Sequence, residues 1–157
     1  MSDETLKCAA VETEAQRLAE LSAEALFASD HASRSLGIGI ESVRPGFARR
    51  RMAVRTDMVN GHGMCHGGIV FALADSAFAV ACNTHNAVTV AAAASIDFLA
   101  PAHVHDELTA EAHELWRSKR SGIYEVTVFN QRCETIALFR GRSHCVGGQL
   151  VAAGHGA

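Results

Sequence analysis

The hydrophobic positions of the first third of the chain follow a helical period and then a period of two. Residues 12–29 place Leu18 and Leu21 on one stripe with charged residues mostly off it, a pattern that predicts an amphipathic helix. Apolar and polar residues then alternate over residues 36–40 and 47–56. This alternation predicts two strands, because successive side chains of a strand point to opposite faces of the sheet.

The most apolar segment, residues 67–82, reads GGIVFALADSAFAVAC. It is long enough for four helical turns and apolar on nearly every side, which predicts a buried helix. Asp75 is its only charged residue. The segment is broken by that charge and is too short to span a bilayer.

Four further segments with the period of a strand follow the apolar helix, at residues 88–99, 107–116, 123–130 and 135–146. A long apolar helix between groups of strands must be covered on most of its surface. We therefore predict an α+β fold in which a six-stranded antiparallel sheet wraps around the central helix. The small residues of the run VAAAAS at 90–95 suggest a strand pressed closely on that helix. The predicted organisation is an N-terminal helical segment, one domain and a flexible tail, at residues 1–35, 36–148 and 149–157.

Composition and charge exclude several classes of function. The net charge is −3, and no basic run is interleaved with aromatic residues, so we expect no nucleic-acid partner. The polar, acidic start resembles neither a signal nor a transit peptide, which predicts a cytoplasmic protein without a membrane partner. Five scattered cysteines without a Cys-x-x-Cys pair indicate reduced thiols. His62, Cys65 and His66 are close in sequence, but no second cluster completes a ligand set, so we predict no metal.

Asp75 is the leading catalytic candidate. A carboxylate among apolar residues loses hydration, and its pKa rises toward the range that suits a general base. The alternative is a structural Asp that caps a helix or pairs with an arginine. The sequence His66-Gly67-Gly68 precedes it at the predicted helix start. There the first N–H groups lack intrahelical partners, and glycines allow a ligand to approach, so these amides can form an oxyanion hole.

Gly67 and Asp75 cannot act on one carbonyl carbon from the same helix. Eight residues at 1.5 Å per residue separate them by roughly 12 Å. A two-fold axis beside the helix would bring Asp75 of one copy near Gly67 of the other. The catalytic hypothesis therefore requires a homodimer with two shared active sites.

The residues from Asn60 to Ala79, which read N-G-x-x-x-C-H-G-G-x-x-F-x-L-A-D-x-A-F-A, resemble the hotdog-fold acyl-CoA thioesterases. The likeness is greatest to the phenylacetate-degradation, PaaI-type branch. It continues through Ser95-Ile-Asp-Phe-Leu-x-Pro, Ser121-Gly-x-Tyr, Val128-Phe-Asn-Gln and Ala137-Leu-Phe-Arg-Gly-Arg-Ser-His. The resemblance spans nearly all of residues 36–148 and implies a long helix wrapped by an antiparallel sheet.

The resemblance also implies catalytic roles. Asp75 matches the carboxylate that acts as general base or as nucleophile, and Gly67 matches the amide that polarises the thioester oxygen. Asn60 matches a side chain that positions the water or the carbonyl. His66 matches an orienting or loop-holding histidine. The Ser or Thr that orients water in some relatives is missing from residues 91–94, and Ser76 is a possible substitute.

Substrate contacts are expected at the glycine-rich helix start and at one basic turn. Coenzyme A carries three phosphates, which basic side chains recognise. The resemblance makes the turn after Arg117 a nucleotide contact, and an ordinary solvated turn is the alternative. The predicted substrate-binding residues are Gly68, Ser76, Lys119, Arg120, Ser121 and Gly122.

The resemblance points to hydrolysis of aryl-acetyl-CoA thioesters, phenylacetyl-CoA and its ring-hydroxylated forms, in phenylacetate catabolism. It implies no cofactor, since coenzyme A is part of the substrate, and a dimer of dimers. The alternative is a catalytically silent hotdog module that binds acyl-CoA. A hotdog dehydratase is a third possibility, but it would normally show a catalytic His with a differently placed acid.

Overall fold

A long apolar helix lies across a six-stranded antiparallel sheet in the computed structural model of this chain. The structure describes residues 3–152, with side chains described from residue 13 onward. Its elements in chain order are α1 (Asp3–Ala28), α2 (His31–Ser35), β1 (Gly39–Arg44), β2 (Phe47–Ala53), the 3-10 turn Thr56–Met58, α3 (Gly67–Asn83), β3 (Thr89–Phe98), β4 (Glu107–Arg117), β5 (Ser121–Phe129) and β6 (Thr135–Cys145). The predicted α+β arrangement is confirmed.

The sheet has the strand order β1-β2-β4-β5-β6-β3, and every neighbouring pair is antiparallel. The inner face of the sheet carries alternate small and apolar residues; Leu108, Ala110 and Ala112 of β4, for example, are fully buried. These alanines let the sheet curve closely around α3. No helix within residues 3–152 has the length and hydrophobicity needed to cross a membrane.

A close approach between α3 and the sheet lies at β6 and involves an aromatic side chain. A Cβ added to Gly141 would lie 2.9 Å from the ring of Phe78, so only glycine fits there. The Phe78 ring is fully buried and makes edge contacts with Tyr124 and tilted contacts with Phe139. This aromatic cluster fixes α3 against β5 and β6.

The alanine run of β3 does not have the environment expected from the sequence. β3 is an edge strand, and its residues from Val90 to Ser95 are exposed in the single chain. The small residues therefore lie on an open strand edge and do not fill a buried contact. The predicted apolar stripe of α1 is also wrong at Leu21, which is 37% exposed. Ala19 and Ala23 lie on the buried face of this helix instead.

The chain after β6 turns back toward the end of α3. Backbone N–H groups of Leu150 and Val151 both donate to the Asn86 side-chain oxygen at 2.9 Å. This contact anchors the first part of the segment that the sequence assigned to a flexible tail. Residues 153–157 of that segment lie outside the described residues, and the predicted domain boundaries stay predictions.

Candidate active site

The start of α3 presents a backbone amide that no group of the described residues accepts. His66 is the N-cap residue, with an extended backbone at φ −61° and ψ 131°, and its Nδ1 accepts the Gly68 N–H at 3.0 Å. The next two amides, of Ile69 and Val70, donate to the His66 carbonyl. Within the described part of the chain the Gly67 N–H has no hydrogen-bond acceptor. His66 therefore holds the helix start and leaves one amide free at its positive end.

The predicted role of Gly68 meets a constraint in this geometry. Its N–H is occupied by the His66 side chain, so it cannot also bind a substrate oxygen while that cap is in place. Gly68 itself is exposed and follows the free Gly67 amide. A substrate could therefore pack against Gly68 but could not accept a hydrogen bond from its N–H.

Asn60 is held next to this amide by the loop that precedes α3. Its side-chain oxygen accepts the N–H groups of His62 at 2.9 Å and Met64 at 3.3 Å, which fixes the amide plane. Among the described residues the Nδ2 group has no acceptor. Asn60 and Gly67 line one cavity of about 380 Å³, whose remaining walls are mostly apolar and include Phe98 and Val70. The structure thus brings two of the predicted residues together, each with an available donor.

Asp75 lies two turns further along α3 and opens into a different cavity. This second cavity has a volume of about 420 Å³ and is lined by Asp75 and Ser76 together with residues of the α1–α2 connection and β2. Within residues 13–152 the Asp75 carboxylate makes no hydrogen bond and no ion pair. Burial raises the pKa of this carboxyl, and the nearby Asp30 carboxylate raises it further. The alternative of a structural Asp, capping a helix or paired with an arginine, does not describe what is found.

Ser76 lies beside Asp75 but uses its proton within the helix. Its hydroxyl donates to the Leu73 carbonyl at 2.7 Å, and the residue is only 6% exposed. The oxygen can still accept a bond from a water molecule. A water-holding role for Ser76 is therefore limited to that of an acceptor, and it stays a prediction.

The basic turn lies at the opposite end of α3 from Gly67. The Ser118 hydroxyl accepts the backbone N–H groups of Arg120 and Ser121, which closes a tight turn between β4 and β5. Lys119, Arg120 and Ser121 line a small cleft together with Cys82 and His85 near the C-terminal end of α3. One protomer therefore does not bring this turn to the Gly67 cavity.

Gly122 lies beneath that turn and is buried within β5. A side chain at this position would lie 2.7 Å from the ring of Tyr124. Close packing alone therefore accounts for a glycine here. Its predicted role in substrate binding stays a prediction.

Cys65 and the His, Cys, Asp and Glu side chains that could bind a metal are the remaining candidates for reactive groups. Burial raises the pKa of the Cys65 thiol, so this group is a poor nucleophile. Within the described residues, no three His, Cys, Asp or Glu side chains converge as a metal site would require.

Sequence reasoning missed two charged residues of the Asp75 cavity, Asp30 and Arg50. Asp30 is the N-cap residue of α2, where its carboxylate accepts the Ser33 N–H at 2.9 Å. Arg50 is 1% exposed and faces inward from β2. The signal for Arg50 was present, because the alternation that places Met52 inward places Arg50 there too.

Comparisons with known proteins identify the family to which this chain belongs. The thioesterase superfamily matches residues 62–137. The acyl-coenzyme A thioesterase PaaI of Escherichia coli K12 is 46% identical over 128 residues, which cover 82% of this chain and 91% of that protein. The solved structure of E. coli PaaI, from the phenylacetic acid degradation operon, matches with a TM-score of 0.84 at 45% identity, covering 85% of this chain and 97% of that one.

A second solved structure, the TT0310 protein of Thermus thermophilus, matches with a TM-score of 0.70 at 36% identity, covering 73% of this chain and 96% of that one. The predicted hotdog fold is thus confirmed by sequence and by structure. The chain belongs to the hotdog-fold acyl-CoA thioesterases of the PaaI type, a family of thioester hydrolases.

Proposed function

We propose that this protein hydrolyses aryl-acetyl-CoA thioesters, including phenylacetyl-CoA and its ring-hydroxylated forms, to the free acid and coenzyme A in phenylacetate catabolism. The observation that carries the proposal is the half-buried Asp75 carboxylate, which has no bonding partner within residues 13–152 and lies on the same helix as the free Gly67 amide. The similar E. coli protein is named an acyl-CoA thioesterase and comes from the phenylacetic acid degradation operon. That likeness supports the choice of acyl group.

The Gly67 N–H binds the thioester carbonyl oxygen in this proposal. The amide lies at the positive end of a 17-residue helix and is free to donate. The Asn60 Nδ2 group lines the same cavity and adds a second donor on that side. Donors fixed before the substrate arrives stabilise the charge that grows on the oxygen when the carbonyl is attacked, and one such donor is worth about 3 kcal/mol.

Asp75 activates the attacking water. Its carboxylate removes a proton from water, and the hydroxide forms a bond to the carbonyl carbon. The C–S bond then breaks, and the thiolate of coenzyme A takes up the proton held by Asp75. The raised pKa of Asp75 favours this role, since a base is most effective when its pKa lies near the working pH. A direct attack by the carboxylate is the other route that this placement supports.

A second copy of the chain completes each site. The two groups line separate cavities of one protomer, and an antiparallel pair of α3 helices brings the Asp75 of one copy to the Gly67 of the other. The exposed edge strand β3 supports this pairing, because its outer N–H and C=O groups have no strand partner within the described chain. Val90 and Phe98, 47% and 54% exposed, flank that edge with apolar surface.

The basic turn of the second copy contacts the coenzyme A nucleotide in the same arrangement. It lies near the end of α3, and antiparallel pairing brings the end of one helix toward the start of the other. Lys119 and Arg120 are exposed and form no ion pair within the described residues, so both remain available to phosphate. A tetramer built from two such dimers and a cytoplasmic location belong to the proposal as well.

The substitution Asp75→Asn tests the mechanism. Because it removes the base and keeps the shape, turnover should fall at least ~10²-fold while the protein stays folded. Release of thiol from phenylacetyl-CoA measures turnover, and circular dichroism checks the fold. Glu14→Gln on the exposed face of α1 is the control and should retain full activity. Near-normal turnover of Asp75→Asn would contradict the role of Asp75.

A panel of acyl-CoA esters tests the substrate class. Aryl-acetyl and straight-chain thioesters are compared by kcat/KM under the same conditions. The proposal requires aryl-acetyl esters to be preferred. A preference for straight-chain esters would be consistent with thioesterase activity but would contradict the proposed aryl-acetyl substrate.

A further inference from the structure

Arg50 is a buried guanidinium with few good bonds. Its terminal nitrogens reach the Ser76 carbonyl at 3.5 Å and the Ile38 carbonyl at 3.3 Å, and within the described residues its Nε has no acceptor. The neighbouring Arg49 and Arg51 lie on the outer face of β2, where Glu111 and Glu107 pair with them. A charge buried with such long contacts is costly unless something compensates it.

Asp30 supplies the compensating charge from the connection between α1 and α2. Its carboxylate lies 3.6 Å from an Arg50 terminal nitrogen and also accepts the Ser33 N–H as the cap of α2. The Phe27 ring covers the guanidinium at 4.9 Å. Burial opposes ionisation of Asp30, but the bonds from Ser33 and the charge of Arg50 lower its pKa overall. Asp30 is thus held as a carboxylate at a fixed place.

Asp30, Arg50, Ser76 and Asp75 line the same cavity, whose other walls are largely apolar. Arg50 donates to the backbone carbonyl of Ser76, the residue after Asp75, and it forms an ion pair with Asp30. Asp30 therefore places a second carboxylate in the cavity of Asp75, and Arg50 holds it there.

Other charged groups around α3 lie elsewhere among the described residues. Glu114 of β4 bonds His85 and Tyr124 near the C-terminal end of the helix. Arg140 and Arg142 of β6 and Asp97 of β3 are exposed. On α3 itself the Cys82 thiol feels the charge of Asp75, and burial raises its pKa to about 12, so it stays neutral. Asp30 and Arg50 are therefore the charges that share a cavity with Asp75.

We propose that Asp30 and Arg50 are positioning residues that set how readily Asp75 takes up a proton. The inference rests on the proposed function, because it concerns the base of that reaction. The negative Asp30 makes Asp75 a stronger base. Arg50 holds Asp30 in place and carries the opposite charge within the same cavity. Neither residue needs to touch the substrate.

Two substitutions of opposite charge test the proposal. Asp30→Asn removes the negative charge and keeps the α2 cap, since Asn is as good a cap residue as Asp. Arg50→Met removes the positive charge and keeps an unbranched side chain of similar length. The acidic limb of kcat/KM should move to lower pH in Asp30→Asn and to higher pH in Arg50→Met. Damage to the structure alone would lower rates without moving the limb in opposite directions.

Titration of the free protein provides a readout that does not depend on activity. Carbon-13 NMR of labelled Asp carboxyl groups, with Asp75 assigned from the Asp75→Asn spectrum, gives the midpoint for Asp75 directly. The midpoint should shift in the same directions as the kinetic limb, and Glu14→Gln should leave it unchanged. An unmoved midpoint in Asp30→Asn overturns the proposal even if Arg50→Met fails to fold.

The two measurements separate this inference from the proposed function. If the Asp75 midpoint shifts as expected but Asp75→Asn keeps its activity, the coupling stands and the catalytic role of Asp75 fails. If Asp75→Asn is inactive and the midpoint of Asp30→Asn does not move, only the present inference fails.

Discussion

The Gly67 amide and the Asp75 carboxylate belong to one helix but line two different cavities of the same protomer. Roughly 12 Å of helix separates them at 1.5 Å per residue. Each cavity therefore holds half of the groups that the proposed mechanism uses. This separation is the reason that the proposed mechanism requires two copies of the chain, and it makes the contribution of each half measurable.

Replacement of Gly67 by proline should remove the oxyanion donor without breaking the helix. Gly67 is the first residue of α3, a position where proline is well tolerated. The preceding His66 has the extended backbone that proline requires of its neighbour. Loss of this one N–H should lower kcat by about 10²–10³-fold, measured as thiol release at saturating phenylacetyl-CoA.

Gly67→Ala is the matched control for that experiment. A Cβ at this position would lie 3.1 Å from the Phe98 ring, so alanine introduces a similar steric change and keeps the N–H. We expect Gly67→Ala to lose far less activity than Gly67→Pro. Equal losses in the two variants would attribute the effect to crowding and would remove the amide from the mechanism.

Mixing two inactive variants should restore activity if each site is shared between copies. A mixed dimer of Asp75→Asn and Gly67→Pro contains one site in which both groups are native. Random exchange produces about half mixed dimers, each with one intact site, so activity should recover to about a quarter of the wild-type value. The two proteins are unfolded together, refolded and assayed beside each variant refolded alone. A mixture that stays inactive although mixed dimers are detected by mass spectrometry would place both groups in one protomer.

Substitution of Lys119 and Arg120 by alanine should weaken binding of coenzyme A and leave the chemical step intact. A charge-assisted bond to phosphate contributes roughly 1.5–3 kcal/mol, so KM should rise by about tenfold or more while kcat changes little. A thioester of N-acetylcysteamine lacks the nucleotide and serves as the control substrate. It should be hydrolysed equally well by both proteins, and Arg17→Ala on α1 should show no effect on either substrate.

Much of the fold follows from hydrophobic period alone. The helix predicted over residues 67–82 is observed as Gly67–Asn83, and the last three strands begin and end within two residues of the predicted bounds. A sheet that is buried on one face gives alternating apolar and polar residues, and a helix that is buried on all sides gives an apolar segment. Both patterns can be read directly from a sequence. Asp75 was identifiable for the same reason, since one charge in an apolar segment is conspicuous.

The surroundings of Asp75 could not be derived in this way. The alternation of β2 places Arg50 inward, but that pattern does not show that Arg50 lines the same cavity as Asp75. Asp30 reaches the same cavity from a connection whose path depends on tertiary packing. The exposed alanines of β3 show a related limit, because local sequence does not reveal whether a strand lies at the edge of a sheet.

Asp75 should reduce the free energy of unfolding at neutral pH. The surroundings that make this carboxylate a strong base also disfavour its ionised form. The folded pKa of this carboxyl lies above its ordinary value, as burial and then the charge of Asp30 raise it. Its contribution to stability is therefore full below the unfolded pKa and is lost as the pH rises through the folded pKa. Asp75→Asn should accordingly have a higher Tm than wild type at pH 7, and the difference should disappear in acid.

Asp106 provides a control of opposite sign. Burial opposes its ionisation, but bonds from the His103 N–H at 2.8 Å, Gln131 at 3.0 Å and Arg132 at 3.1 Å lower its pKa overall. Its contribution to stability is present above the unfolded pKa and is lost as the pH falls through the folded pKa. Asp106→Asn should therefore lose about 2 kcal/mol at pH 7 and approach wild type in acid. Calorimetry of the three proteins from pH 4 to 8 compares the two carboxyls, and a lower Tm for Asp75→Asn at pH 7 would show that the folded site stabilises the charge of Asp75 instead of opposing it.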